Sequence, residues 1–212
     1  KEGRNTIADL STNLTNWNPF DNKSTDWFDP EWMFGIENGF DIVIANPPYI
    51  NADEMSSQED GEKMRKKLNK LFKTTKGAWN LFVPFIEKGI NLLNSNGTLS
   101  FINPNALLSA KYAKDIREYI STKTIIEIRD YAKLTVFKDV DVYPITILIQ
   151  NSKPNENSIS NLSVMKSINS IQRTQSISSL NIKEHPLDYY FHDSEIKNLI
   201  EKLLKSSQNQ SL

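Results

Sequence analysis

Cysteine is absent from this 212-residue chain, and histidine is limited to His185 and His192. Without thiols there is no disulfide framework, no thiolate nucleophile and no cysteine-ligated zinc or iron–sulfur site. Two imidazoles are too few for a histidine-rich metal centre; both are read as exposed or structural, and no metal role is assigned. An excess of charge of one sign is also missing: 25 Lys+Arg stand against 26 Asp+Glu, a formal net charge of -1. That balance argues against a nonspecific polycation but leaves room for a local basic groove. The longest apolar run, residues 145–149 (ITILI), is far short of the ~20 residues that span a bilayer. No signal-peptide pattern opens the chain, so no membrane association is expected and the cytoplasm is the expected compartment.

What is present is an alternation of short apolar runs and amphipathic stretches. Residues 1–39 show no clear period and carry the aromatic cluster Trp27, Phe28, Trp32, Met33 and Phe34, which reads as a packed lid or loop. Residues 40–45 (FDIVIA) form a β-branched run bounded by Gly39 and Asn46-Pro47, the pattern of a buried strand. Residues 63–72 put Met64, Leu68, Leu71 and Phe72 on one helical face. Residues 79–93 repeat that period and close on Asn96-Gly97, where a glycine can take the left-handed conformation that ends helices. Residues 98–102, 124–130 and 143–150 read as further strands, and 110–120 as a helix. The succession predicts an α/β fold with a mainly parallel sheet and helices on both faces. From 151 to 180 the composition shifts to Ser and Asn, the mark of a linker or extension, with LSVMK as one possible strand. A last helix is expected over 194–204.

The chemistry-bearing feature is Asn46-Pro47-Pro48-Tyr49, directly after the buried strand. In open α/β sheets, ligands sit beyond the carboxyl ends of strands. Two prolines fix φ near −65° and remove two N–H donors, so the loop offers acceptors only: the Asn46 side-chain oxygen and main-chain carbonyls. Such a corner suits a substrate –NH₂, both of whose protons need acceptors, and Tyr49 adds a flat face for stacking. Accepting both protons at tetrahedral angles localises the nitrogen lone pair, which can then attack a sulfonium methyl without a metal or a covalent intermediate.

The stretch GFDIVIANPPYI resembles motif IV of the S-adenosylmethionine-dependent amino-methyltransferases. With WFDPEWMFG before it, and WNLFVPFIEKGINLLNSNGTLSFINPNALLSAKYAKDIREYI and IIEIRDYAKLTVFKDVDVYPITILI after it, the chain over roughly residues 17–150 is similar to the adenine-specific DNA methyltransferases of type IIG restriction–modification enzymes. The resemblance implies a partial S-adenosylmethionine-dependent, Rossmann-like methyltransferase fold that transfers methyl to adenine N6 of double-stranded DNA. Asn46 and the Pro47 carbonyl would accept the two N6 protons, and Pro48 would hold that geometry. Tyr49 would stack on a base flipped from the duplex, as base-modifying enzymes require, and Phe137 would complete the base pocket; a core phenylalanine at a strand corner is the alternative for Phe137. Asn46 and Phe85 would border the cofactor, while the helical spacing of Phe85 fits ordinary core packing equally well. On residues 62–76, which are rich in Lys and Arg, Lys63, Arg65, Lys66, Lys67 and Lys70 could track DNA phosphates; a solvated basic helix face is the plainer alternative.

The pattern departs from the family upstream of Asn46, where an acidic, Gly-rich cofactor turn should stand: Gly3, Gly35 and Gly39 do not form one. No nuclease signature is found, and residues 181–212 look like the start of a target-recognition domain. The expectation is therefore the C-terminal half of a catalytic core, monomeric, inactive alone, and partnered by a missing N-terminal half of the same polypeptide. Three alternatives stay open. They are a nuclease-free phage-defence methyltransferase, a methyltransferase of protein glutamine or RNA guanine, and a non-enzymatic DNA-binding or assembly module.

Overall fold

A computed structural model describes residues 6–18, 30–131, 134–137 and 142–209, which fall into two compact units, 1–39 and 40–212. In the first unit, helix α1 (Ile7–Asn16) has a reciprocal N-terminal cap. Thr6 Oγ1 accepts from the Asp9 amide at 3.3 Å, and Asp9 Oδ2 accepts from the Thr6 amide at 3.0 Å. The hydrogen bonds from Thr6 hold the Asp9 carboxyl below its ordinary pKa. This helix has no counterpart in the sequence reading, because its polar residues blur the apolar period while the T-x-x-D cap marks its start. Helix α2 (Pro30–Phe34) opens on a proline, where no helical N–H is lost. It closes with the Gly35 and Ile36 amides returning to the Glu31 and Pro30 carbonyls. Trp27 and Phe28 lie outside the described residues.

The second unit is built on a six-stranded sheet. Its strands are β1 (Phe40–Ala45), β2 (Leu93–Pro104), β3 (Thr124–Asp130), β4 (Pro144–Gln150), β5 (Ile159–Ser167) and β6 (Ser170–Ser178). Their spatial order is β1-β2-β4-β3-β5-β6. Only β1–β2 and β3–β5 pair in parallel; β2–β4, β3–β4 and β5–β6 are antiparallel. The α/β class holds, but the sheet is mixed rather than mainly parallel, because β4 returns between β2 and β3 and β6 returns as a hairpin.

Helix α5 (Phe82–Asn91) crosses from β1 to β2 and buries Phe82, Val83, Ile86 and Ile90. Pro84 falls in its first turn, where the missing N–H costs nothing. The face under α5 carries Leu99, Phe101, Ile145, Ile147 and Ile149, all essentially buried. Each such side chain contributes about 1.5–3 kcal/mol. Gly89 lets the helix lie close: a Cβ there would stand 2.7 Å from both Leu99 Cδ1 and the Phe101 ring. Helix α7 (Lys114–Ile120) adds Ile116 and Ile120 to the same core. It is preceded by the short helix α6 (Ala106–Ser109) and a 3-10 turn at Lys111–Ala113, so the segment expected as one helix over 110–120 is broken. Helices on both faces were expected. On the face away from α5, however, Ile42 and Ile44 are 63% and 75% exposed and Ser100, Ile102 and Leu148 are only half-buried.

Two further expectations change. The left-handed residue near the end of α5 is Asn96 (φ 76°), not Gly97. Gly97 is required for room, since a Cβ would meet the Phe40 carbonyl at 2.6 Å. Residues 151–180 are not a linker: β5 and β6 complete the sheet, and the Ser-rich composition hides them. Ser160 and Ser163 are fully buried. Ser160 Oγ donates to the Ile125 carbonyl at 2.6 Å, and Ser163 Oγ lies 2.8 Å from Thr174 Oγ1. Leu162, Ile182, Leu187, Tyr189 and Tyr190 join the core of residues 40–150, so the stretches expected as linker and separate domain share one interior. The last helix, α8 (Ser194–Asn209), runs longer than expected. No described helix is long and apolar enough to cross a membrane.

Candidate active site

The sheet register places the tetrapeptide. Ala45 pairs with Phe101, so Asn46 is the first residue past the end of β1. Its side chain is exposed, Pro47 is buried, and Pro48 and Tyr49 are half-buried. The loop is tied at its far end as well. The Leu81 amide donates to the Ile50 carbonyl at 2.9 Å, coupling the tetrapeptide to the start of α5. Asn51 then caps helix α3 (Ala52–Ser57): its Oδ1 accepts from the Asp53 and Glu54 amides at 3.0 and 2.9 Å, and Glu54 Oε2 accepts from the Asn51 amide at 3.0 Å. A strand on one side and a capped helix on the other fix a segment whose prolines are already stiff. Acceptors that need not reorganise are what electrostatic stabilisation of a reacting amine requires.

Tyr49 has a buried hydroxyl with no hydrogen-bond partner among the described residues. Burial pushes its pKa up to about 12, so the ring stays neutral at physiological pH. A second unpaired group lies on the neighbouring strand. Asn103 is fully buried on β2, and neither its amide nitrogen nor its amide oxygen has a partner among the described residues. Two residues beyond the Ala45–Phe101 pair, it occupies the register position next to Pro47. The sequence signal was a polar residue in the alternation Leu99, Phe101, Asn103, where an apolar one belongs.

Phe85 is 42% exposed on α5, outside the buried core. Phe137 is half-buried in the connection from β3 to β4, between residues outside the described set. That connection leaves the sheet at the rim where β1 ends, since β1, β2 and β3 run in one direction. The structure thus brings Asn46, Pro47, Pro48, Tyr49 and the α5 N-terminus together, and puts Phe137 on the same rim at a distance.

The basic helix α4 (Gly61–Leu71) does not present its cations alike. Lys63 pairs with Asp60 at 2.7 Å and Lys66 with Glu62 at 3.9 Å, all largely exposed. Lys67 and Lys70 are exposed. Arg65 is half-buried and turned toward Trp79. The inward face is Arg65, Leu68 and Phe72, whereas Met64 and Leu71, expected there, are 49% and 62% exposed. The sequence reading also missed Glu87, a buried carboxylate that accepts from the Lys73 amide, the Thr74 amide and Thr74 Oγ1 at 3.1, 2.9 and 2.6 Å. A charged residue on the apolar face of α5 was its signal. His185 stacks on Tyr189 with centroids 4.0 Å apart.

Known proteins resemble this chain in sequence and in fold. The chain is 30% identical over 113 residues to the type II methyltransferase M.BstVI of Geobacillus stearothermophilus, covering 52% of this chain and 19% of that protein. It is 26% identical over 122 residues to the type II restriction enzyme and methyltransferase RM.Eco57I of Escherichia coli, covering 57% and 12%. The chain therefore spans less than a fifth of either relative's length. A chain from a study of complex assembly in the type I restriction–modification system superposes with a TM-score of 0.51 at 12% identity, covering 84% of this chain and 44% of that one; this likeness is one of fold. The model of the Eco57I restriction-modification methylase family matches residues 2–137, well over half of the sequence, and the chain belongs to that family.

Proposed function

We propose that the chain carries the amine-binding loop of a site-specific DNA methyltransferase that transfers methyl from S-adenosylmethionine to adenine N6. The observation that carries this reading is the tetrapeptide at the exit of β1, free of N–H donors at both prolines and anchored at both ends. Asn46 Oδ1 and the Pro47 carbonyl accept the two amine protons. Pro48 keeps the two acceptors in register, and Tyr49 stacks on the base with its hydroxyl protonated. Phe137 closes the base pocket from the β3–β4 connection.

The cofactor supplies an electrophilic methyl on a sulfonium. Of the described residues, Phe85 fits it, as an exposed ring one turn into α5. The chain shows no Gly-rich acidic turn ahead of β1, so holding the ribose and the methionine tail falls to an upstream segment in this reading. Among the described residues β1 is an outermost strand, and that segment would pair there, beside the exposed Ile42 and Ile44.

The test offers tritiated S-adenosylmethionine with DNA, structured RNA and a glutamine-bearing release factor, both to this chain and to a longer polypeptide that includes the upstream segment. Label recovered from DNA as N6-methyladenine, and lost in Asn46→Ala, is the expected result. Label confined to protein or RNA would end the DNA reading.

A further inference from the structure

Arg65 sits on the helix proposed to follow DNA phosphates, yet its guanidinium is committed elsewhere. Its Cζ lies 4.2 Å from the Trp79 ring centroid. Nη1 donates to the Trp79 carbonyl at 3.2 Å and Nη2 to the Gly77 carbonyl at 3.0 Å. A planar fork that stacks and donates twice at once is a geometry that lysine cannot reproduce. Trp79 is fully buried, and its indole N–H donates to Asn69 Oδ1 at 2.7 Å. Arg65 and Asn69 are one helical turn apart, so α4 grips this tryptophan with two side chains of one face. Two residues further on, the Leu81 amide holds the Ile50 carbonyl, next to Tyr49. The other end of the same connection is held by Glu87 through the Lys73 and Thr74 amides.

We propose that Arg65 is a positioning residue: through Trp79 it fixes the backbone that holds the Asn46–Tyr49 loop, and phosphate contact on α4 falls to Lys67 and Lys70. The latch rests on the proposed function only for what the loop does. It puts the outer face of α4 and the loop at the two ends of one chain of contacts, Arg65 to Trp79 and Leu81 to Ile50.

Two measurements on the whole chain separate the roles: hydrogen exchange at the Leu81 amide, and the salt dependence of binding to a nonspecific DNA duplex. In Arg65→Gln, Leu81 exchange should accelerate about tenfold, while the slope of log affinity against log salt stays within about a third of a unit of the parent. Arg65→Lys, which keeps the charge and is the milder change for folding, should also accelerate exchange. Lys67→Gln and Lys70→Gln should each lower the slope by about one unit and leave Leu81 protected. Unchanged Leu81 exchange in both Arg65 variants would overturn the latch, and so would a slope lowered by about one unit in Arg65→Gln. If the parent chain binds no duplex at all, the lysine assignment fails, and Leu81 exchange still decides the latch.

Discussion

The two edges of the sheet are built to opposite rules. The β6 edge is written in polar residues, Ser170, Gln172, Arg173, Thr174, Gln175 and Ser176, and Arg173 is anchored by hydrogen bonds to the His192 and Phe191 carbonyls. Natural proteins commonly blunt edges this way, because unpaired strand groups beside apolar side chains invite association. The β1 edge is mostly apolar among the described residues: it is FDIVIA, with Asp41 as its one charge and two isoleucines mostly in water. Among the described residues, one edge is polar and the other apolar. The tetrapeptide proposed as the amine-binding loop issues from the apolar one.

The largest expected effect tests what holds β1 to the rest. Gly89→Leu drives a side chain into Leu99 and Phe101 and should cost about 3 kcal/mol, read from urea unfolding. If stability barely changes, α5 does not clamp the β1–β2 pair as described. Next comes the edge itself. Ile44→Lys removes an apolar group that is 75% exposed, so folding stability should stay within about 0.5 kcal/mol. Self-association at high concentration should fall several-fold by light scattering, while Ile171→Lys on β6 should change little. Equal effects at the two edges would erase the contrast.

The smallest effect concerns Tyr49. Its pKa is raised to about 12 by desolvation, whereas an unfolded tyrosine ionises near 10. The unfolded state therefore loses its proton first as pH rises, and the stability tied to the neutral hydroxyl is complete below pH ~10 and lost on going toward ~12. Tyr49→Phe should match the parent at pH 8 and lose less stability by pH 11. Identical pH profiles would show that the hydroxyl is not buried in solution.

Much of the β1–β4 framework is legible in the sequence because it obeys simple periods. Residues 40–45 and 124–130 are strands at the expected boundaries, and α4 and α5 lie within a few residues of theirs. The β5–β6 hairpin is hidden by buried serines whose partners, Ile125 and Thr174, lie elsewhere in the chain. Strand direction is likewise a tertiary fact: nothing local in PITILIQ says that it returns between β2 and β3. At the site, the tetrapeptide announces itself because two prolines and their neighbours are adjacent. Glu87, Asn103 and the Arg65–Trp79 contact do not, because their roles depend on residues brought together by the fold. Arg65 looks like its lysine neighbours until the structure shows which face of α4 turns inward.

The returning strand β4 also sets a span. The β3–β4 connection that carries Phe137 starts at the end of β3, three inter-strand steps from β1, and ends at the start of β4, two steps from it; at about 4.8 Å a step these are roughly 14 and 10 Å. In the proposed reading, the connection has to make up that span for a base held by Tyr49 to meet Phe137. The length of that connection, rather than any single contact, would then decide how large a base the rim can admit.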